Sequence, residues 1–409
     1  QVTTEDGIYQ NSITIPSMDW YAENILSVTA EYNGIEKTIE KEFDVFYKKG
    51  DVGSVYQIKN VIAKDAQIDG ANSFTELDGA HGVSIFTIGS STYAIVTAMN
   101  DAGVQIIDVS DPDNLVAKGA ETDGADGFTE LLSVIDVDTF VIGAKTYAIT
   151  VSSLTEDGVQ MIDISDPDNM VAKDAKTDGD SGGFDRLDGA RDVETFVIDG
   201  STYAIIVSTT EHGVQIINVT DPANIVATDS ETDNANGFTA LSKANGVSVF
   251  TIGGSTYAIV ASAGDHGVQI IDISDPTDIV AKDTFRDALG DHMLKAASSV
   301  DTFAIGVKTY AIVASGGNTG DDGVQMLDIS DPDNIVAKDM ESDGVNDFTE
   351  LDDLEDVDTF TCGAKTYAIV AGQDDNGVQM IDISAPDNIV AIDAETDGVG
   401  GFDVLDGPY

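Results

Sequence analysis

The side chains best suited to chemistry in this chain are carboxylates that return once per repeat. Two residues before a glycine that opens the motif GVQ stand Asp101, Glu156, Glu211, Asp265, Asp321 and Asp375. An oxygen-only set suits Ca2+ or Mg2+ rather than zinc, because hard cations prefer carboxylate ligands. If the six loops emerge on one face, these carboxylates form a ring on one rim. The competing reading is structural: an acidic residue in a tight loop accepts hydrogen bonds from backbone amides. No linear EF-hand loop is present to decide between them.

A second set is defined by variation. Two residues before a recurring valine stand His81, Ile135, Arg191, Asn245, Ser298 and Glu355. Packing positions repeat in this chain and these do not, so they read as released from packing. They would face one mouth of a central channel. There His81, Arg191, Asn245 and Glu355 could hold a ligand, with drift at a solvated funnel as the bland alternative. His212 and His266 both precede the glycine of GVQ in neighbouring copies, without a third ligand of matching type. The chain has no GxSxG, no cysteine with a partner and no phosphate loop before a helix. The expectation is therefore a protein that is not an enzyme. A metal-assisted hydrolase would need His81, Arg191 and Glu355 to converge.

Those residues are carried by a repeat. GVQIIDVSDPDN from Gly103 returns from Gly158, Gly213, Gly267, Gly323 and Gly377, at intervals of 54 to 56 residues. Such a period means stacked copies of one supersecondary unit. Each copy has four apolar runs and no helical periodicity. In the third, strand A is expected at Val193–Ile198, strand B at Tyr203–Ser208, strand C at Gly213–Val219, and strand D from Ile225 to Asp229. Strand C is apolar on both faces, as expected where each sheet lies between two others. Phe86, Phe140, Phe196, Phe250, Phe303 and Phe360 recur in strand A. Tyr93, Tyr147, Tyr203, Tyr257, Tyr310 and Tyr367 recur in strand B, and packing between sheets accounts for both sets. Four antiparallel strands at a constant interval predict a β-propeller.

GVQIIDISDP, with the preceding strand, resembles the LVIVD repeat family of bacterial and archaeal surface propellers. The resemblance covers roughly residues 51–409. It implies an extracellular location, no established catalysis, and a surface protein of archaeal type. Residues 1–47 differ. Strands are expected at Ile8–Ile15, Ile25–Tyr32 and Ile35–Phe46, with Asn33-Gly34 as a hairpin turn. DGIYQNSITIPSMDW, SVTAEYNG and KTIEKEFDVF resemble the final strands of immunoglobulin-like domains of archaeal surface proteins, so the segment is expected to be part of such a sandwich. Residues 48–53 read as a linker and 54–409 as the propeller. NVIAKDAQID, within 55–68, matches NLVAKGAETD and reads as a last strand whose partners are missing. The fold class is all-β: six complete blades, and a seventh shared or incomplete.

Totals bound the function. With 74 acidic and 19 basic residues among 409, the formal net charge is −55. Self-repulsion at that density calls for a salty or divalent-rich medium and makes nucleic acid a poor partner. One cysteine, Cys362, excludes an intrachain disulfide. No apolar run is long enough to span a bilayer as a helix. The expectation is a secreted, non-enzymatic surface-layer, filament or matrix module that binds Ca2+ and partners with itself or neighbouring surface domains. An adhesion or ligand-binding propeller is the runner-up.

Overall fold

The computed structural model describes residues 58–405, apart from 154, 288–289, 291 and 317–321, together with four strand backbones before them. The chain divides into two compact units, Gln1–Tyr56 and Gln57–Tyr409. In the first, Val2–Glu5 pairs with Ile8–Asn11, and Ile25–Tyr32 pairs with Ile35–Glu42 in a register that places Tyr32 opposite Ile35. The second hairpin is the one that Asn33-Gly34 predicts. The expected linker at 48–53 lies outside the described residues.

The second unit contains six four-stranded antiparallel sheets, each with its strands in sequence order. In the first blade, strand A is Ala80–Ile88, B is Ser91–Ala98, C is Gly103–Asp108 and D is Val116–Thr122. Strand A recurs at Val134–Ile142, Ala190–Ile198, Ala244–Ile252, Ala297–Ile305 and Leu354–Cys362, and consecutive A strands from the first blade to the sixth pack on one another. This is a propeller with strand A at the hub. The A strands begin about three residues earlier than the apolar run suggests.

Composition explains each element. Strand C holds β-branched residues on both faces, and Val104, Ile106, Val159, Met161, Val214 and Ile216 have no solvent exposure. The A and B strands are joined in register by the aromatics, with Phe196 opposite Tyr203 and ring centroids 5.6 Å apart. The pair recurs in all six blades, and each stack adds about 0.5–1.5 kcal/mol beyond burial. The Asp-Pro turn after strand C is pinned by its own side chains. Asp108 Oδ1 accepts from Ser110 N at 3.0 Å, and Asp111 Oδ1 from Asp113 N at 3.1 Å.

The glutamine of GVQ is fully buried in every blade. Strand D carries one extra residue opposite strand C, a β-bulge that leaves carbonyls unpaired. The glutamine fills the gap. Gln215 Nε2 donates to Asp229 O at 2.8 Å, and Gln215 Oε1 accepts from Asp185 N in the loop entering the same blade at 3.1 Å. Gln105, Gln160, Gln269, Gln325 and Gln379 make the same two bonds.

The bulge also aims an aspartate at the next blade. Asp174 Oδ2 accepts from Ile225 N, Asp229 Oδ2 from Ile279 N, Asp283 Oδ2 from Ile335 N and Asp339 Oδ2 from Ile389 N, at 2.8–2.9 Å. Gly119 stands at this position in the first blade. There the strand approaches more closely, with Gly119 N donating to Pro167 O at 2.8 Å. A side chain at Gly119 would meet that carbonyl at 3.0 Å.

Residues 58–68 extend this pattern beyond the six sheets. The segment forms no ladder, yet Val61 N donates to Asp393 Oδ2 of the sixth blade at 2.6 Å. Its Asp65 Oδ2 accepts from Leu115 N of the first blade at 2.8 Å. It thus occupies the place of a D strand between the sixth and first blades, as its sequence predicts.

Gln215→Ala tests the bracket. It leaves an amide and a carbonyl unpaired in a dry site and opens a cavity, for an expected loss of about 2–4 kcal/mol. Chemical denaturation reads this as a lower midpoint, and an unchanged midpoint would show the bracket to be dispensable.

Candidate functional site at the propeller axis

Each A strand carries a β-bulge near its start. In the third blade Ala190 faces Ser208 and Asp192 faces Val207, so Arg191 is the inserted residue. Asn245, Ser298 and Glu355 are the inserted residues of their strands, Ile135 of the second, and His81 lies within the shift of the first. A bulge breaks the in-out alternation and re-aims a side chain. This explains why these positions escape packing and vary.

The re-aimed side chains meet on the axis. His81, Arg191, Asn245, Ser298 and Glu355 line one cavity of about 130 Å³. Ile135 is buried in the strand and is not among its lining residues. Arg191 Nη2 reaches Glu355 Oε2 of the sixth blade at 3.7 Å. The set read as a mouth ring from its variation is therefore assembled.

A neighbouring ring was not read from the sequence. Gly82, Asp136, Asp192, Gly246, Ser299 and Asp356 follow the inserted residues and also line the cavity. Asp136 Oδ2 accepts from Val193 N at 3.0 Å, and Asp192 Oδ2 from Val247 N at 2.7 Å. Ser299 Oγ donates to Asp356 Oδ1 at 2.7 Å. Two residues further on, Asp138 accepts from Thr195 N at 2.8 Å, Glu194 from Val249 N at 2.5 Å and Asp301 from Thr359 N at 2.8 Å. The hub is thus stapled by carboxylates reaching the backbone of the next strand. The signal was present in the alternation of Gly, Ser and Asp beside the variable position.

Burial raises these carboxylates above their ordinary range. Burial, reinforced by the charge of Asp192, holds Asp136 well above an ordinary aspartate. Burial pushes Asp192 up to about 6. It also raises Asp138, Glu194 and Asp301. Burial, with the Arg191 charge, pulls His81 down to about 4. Asp136 and Asp192 lie close enough for the charge of Asp192 to help raise Asp136, beside an Arg191–Glu355 ion pair. Such a site can exchange a proton.

The rim set is arranged differently. Asp101 Oδ2 accepts from Asp78 N at 2.8 Å, Glu156 Oε2 from Leu132 N at 3.0 Å, Asp265 Oδ2 from Ser242 N at 2.9 Å and Asp375 Oδ2 from Asp352 N at 2.9 Å. Glu211 lies 3.7 Å from Arg186 and Asp265 lies 3.3 Å from Arg286. Each braces the loop entering its own blade, as the structural reading expects. Asp321 lies outside the described residues. Among the described residues no group of three or more His, Cys, Asp or Glu is placed to hold a metal ion.

His212 and His266 occupy a left-handed turn position, at φ 54°. Their Nδ1 atoms accept from Lys243 N at 2.9 Å and Ala296 N at 3.1 Å. Both are turn braces.

Comparison with known proteins agrees with this architecture. The LVIVD repeat signature matches residues 90–122 and 246–287. No curated protein matches the chain. A functionally unknown protein from Desulfotomaculum acetoxidans is 13% identical, covers 78% of this chain and 90% of its own, and superposes with TM-score 0.51. A protein from Lactobacillus plantarum is 12% identical, covers 78% and 84%, and gives 0.56. A quinonprotein alcohol dehydrogenase-like protein from Bacteroides thetaiotaomicron, 11% identical over 76% and 65%, gives 0.46 and is too distant to carry an argument. At these identities the likeness is one of fold.

The raised carboxylates predict an unusual pH response. A group whose folded pKa is raised stabilises the fold fully below its unfolded value near 4, and that stability is lost as pH rises through the folded value. For Asp192 the folded value is about 6, and burial puts Glu130, in the loop entering the second blade, and Glu211 at about 7. The thermal midpoint should therefore rise between pH 8 and pH 5. His81 opposes part of this rise, because from about pH 6.5 down to its folded value of about 4 the unfolded imidazole takes up a proton that the buried one does not. Asp192→Asn should flatten part of the rise. A midpoint that is flat or falls from pH 8 to 5 would contradict these environments.

The chain is a six-bladed β-propeller carrying LVIVD repeats.

Proposed function

We propose that this chain is a non-catalytic structural module of the cell exterior, a rigid acidic propeller for a surface layer, filament or matrix, whose net charge is neutralised by divalent cations. The net charge of −55 carries the reading, since such a surface is compact only where counter-ions are plentiful. The use of its acidic side chains supports it. Rim and hub carboxylates are engaged as braces and staples, so cations act on them collectively as much as at any one site. The charge also disfavours nucleic acid and anionic membranes as partners.

A ligand-binding reading has one observation in its favour, the axial cavity lined by Asp136 and Asp192. Its volume of about 130 Å³ is well below the 300 Å³ and more of ordinary small-molecule pockets, and Arg191 and Glu355 already pair across it. It fits an ion or a few waters better than an organic substrate.

Thermal melting at fixed ionic strength separates these effects. The midpoint should rise by several degrees when millimolar Ca2+ replaces an equal ionic strength of Na+, and EDTA should reverse the gain. A midpoint indifferent both to Ca2+ and to NaCl between 0.05 and 1 M would remove the cation part of the proposal.

A further inference from the structure

Five of the six junctions around the ring are filled by a shared core. Phe140 and Tyr147 of the second blade pack with Val193, Ile206 and Ile217 of the third, and the other four repeat this. The junction between the sixth and first blades has no such core, and their A strands do not pack as the other pairs do. Val83 of the first blade is 60% exposed and Ile85 57%, whereas the equivalent Val137, Val193, Val247, Val300 and Val357 are 3–5% exposed. On the facing wall Phe360, Ile369, Ala371 and Val378 are partly exposed. Their counterparts in the second blade, Phe140, Ile149, Val151 and Val159, are all buried.

This gap is held open at the outer rim. Residues 58–68 bond to the sixth blade through Val61 and to the first through Asp65, with the same two contacts that join complete blades. Ala63 also lies against Gly401 as Ala172 lies against Gly127 and Ala281 against Gly237. The D position is therefore taken, and among the described residues no A, B or C strand pairs with it. The sixth blade offers the matching polar groups. Asp136 and Asp138 staple the amides two strand positions apart on the next A strand, at Val193 and Thr195. Their equivalents Asp356 and Asp358 bond no amide of the first blade among the described residues, although both are exposed toward the gap.

We propose that this slot is a docking site for a partner segment of the repeat's own chemistry: the A, B and C strands of one further copy, which complete a seventh blade with residues 58–68 as its D strand. The occupant is specified by the walls. It presents phenylalanine and tyrosine to Val83, a valine to Phe360, and A-strand amides to Asp356 and Asp358. Its C strand supplies the ladder that residues 58–68 lack. A second copy of this chain cannot fill the slot without opening one of its own five cores.

The test uses a thiol reporter. In a Cys362→Ile background, Val83→Cys should react rapidly with a maleimide in the 409-residue protein. The sequence of residues 190–219, which holds one A–B–C set, is then supplied as a peptide in excess, and separately fused after Leu405. Labelling should slow by about tenfold or more in at least the fused form, and the thermal midpoint should rise. Val83→Asp with Ile85→Asp should abolish the gain in midpoint while leaving the protein without the added strands unchanged. Equal labelling rates with and without the strands in both formats would overturn the proposal. So would protection of Val83→Cys in the 409-residue protein by concentration-dependent self-association, which would make the slot an interface between copies.

Discussion

One buried amide side chain governs what a blade of this protein can be. The glutamine of each GVQ motif sits in a dry interior, where an unpaired donor or acceptor costs far more than a bond at the surface. It therefore has to find a carbonyl and an amide. It finds them in the bulged D strand and in the loop that enters the blade. Those two bonds fix the bulge, and the bulge fixes where the following aspartate points. That aspartate staples the next blade. Register within a sheet and spacing between sheets are thus set by one polar group per repeat, and hydrophobic burial supplies the bulk of the cohesion around it.

The same logic operates at the hub with the opposite side-chain chemistry. There, bulges in the A strands release five of the six inserted residues toward the axis, and in the second and third blades the next residue, Asp136 or Asp192, reaches across as a carboxylate staple. Concentrating acids in a narrow channel carries a protonation consequence: burial keeps several of them above the normal aspartate range. A chain with 74 acidic residues thus buries some of them where their charged form is disfavoured, and leaves the rest on a surface that relies on its medium.

Much of this was legible in the sequence. The interval of 54 to 56 residues, the alternating runs and the Phe–Tyr pairs sufficed for six four-stranded blades. The D-strand likeness of residues 58–68 also held, though the segment lacks a ladder because no C strand lies beside it. The mouth residues were found because Arg191, His81 and Glu355 break a pattern that packing enforces elsewhere. Bulges were not legible: alternation records which residues are apolar, not which have no partner across the sheet. Asp136 and Asp192 escaped notice because acidic residues are so common here that two more carry no signal. The glutamine escaped for the opposite reason, since an invariant element inside a strand reads as packing. The rim carboxylates stood out by position, and geometry assigns them to loop amides.

The claim that polar brackets set the blade is best tested by hydrogen exchange on the native protein. The amides of Thr75, Thr129, Asp185, Thr239, Met293 and Thr349 lie in loops between sheets, yet each donates to a buried glutamine. They should exchange as slowly as the strand C amides of their own blades. Exchange at the rate of ordinary exposed loop amides would show that the brackets open freely, and that packing alone defines the blade.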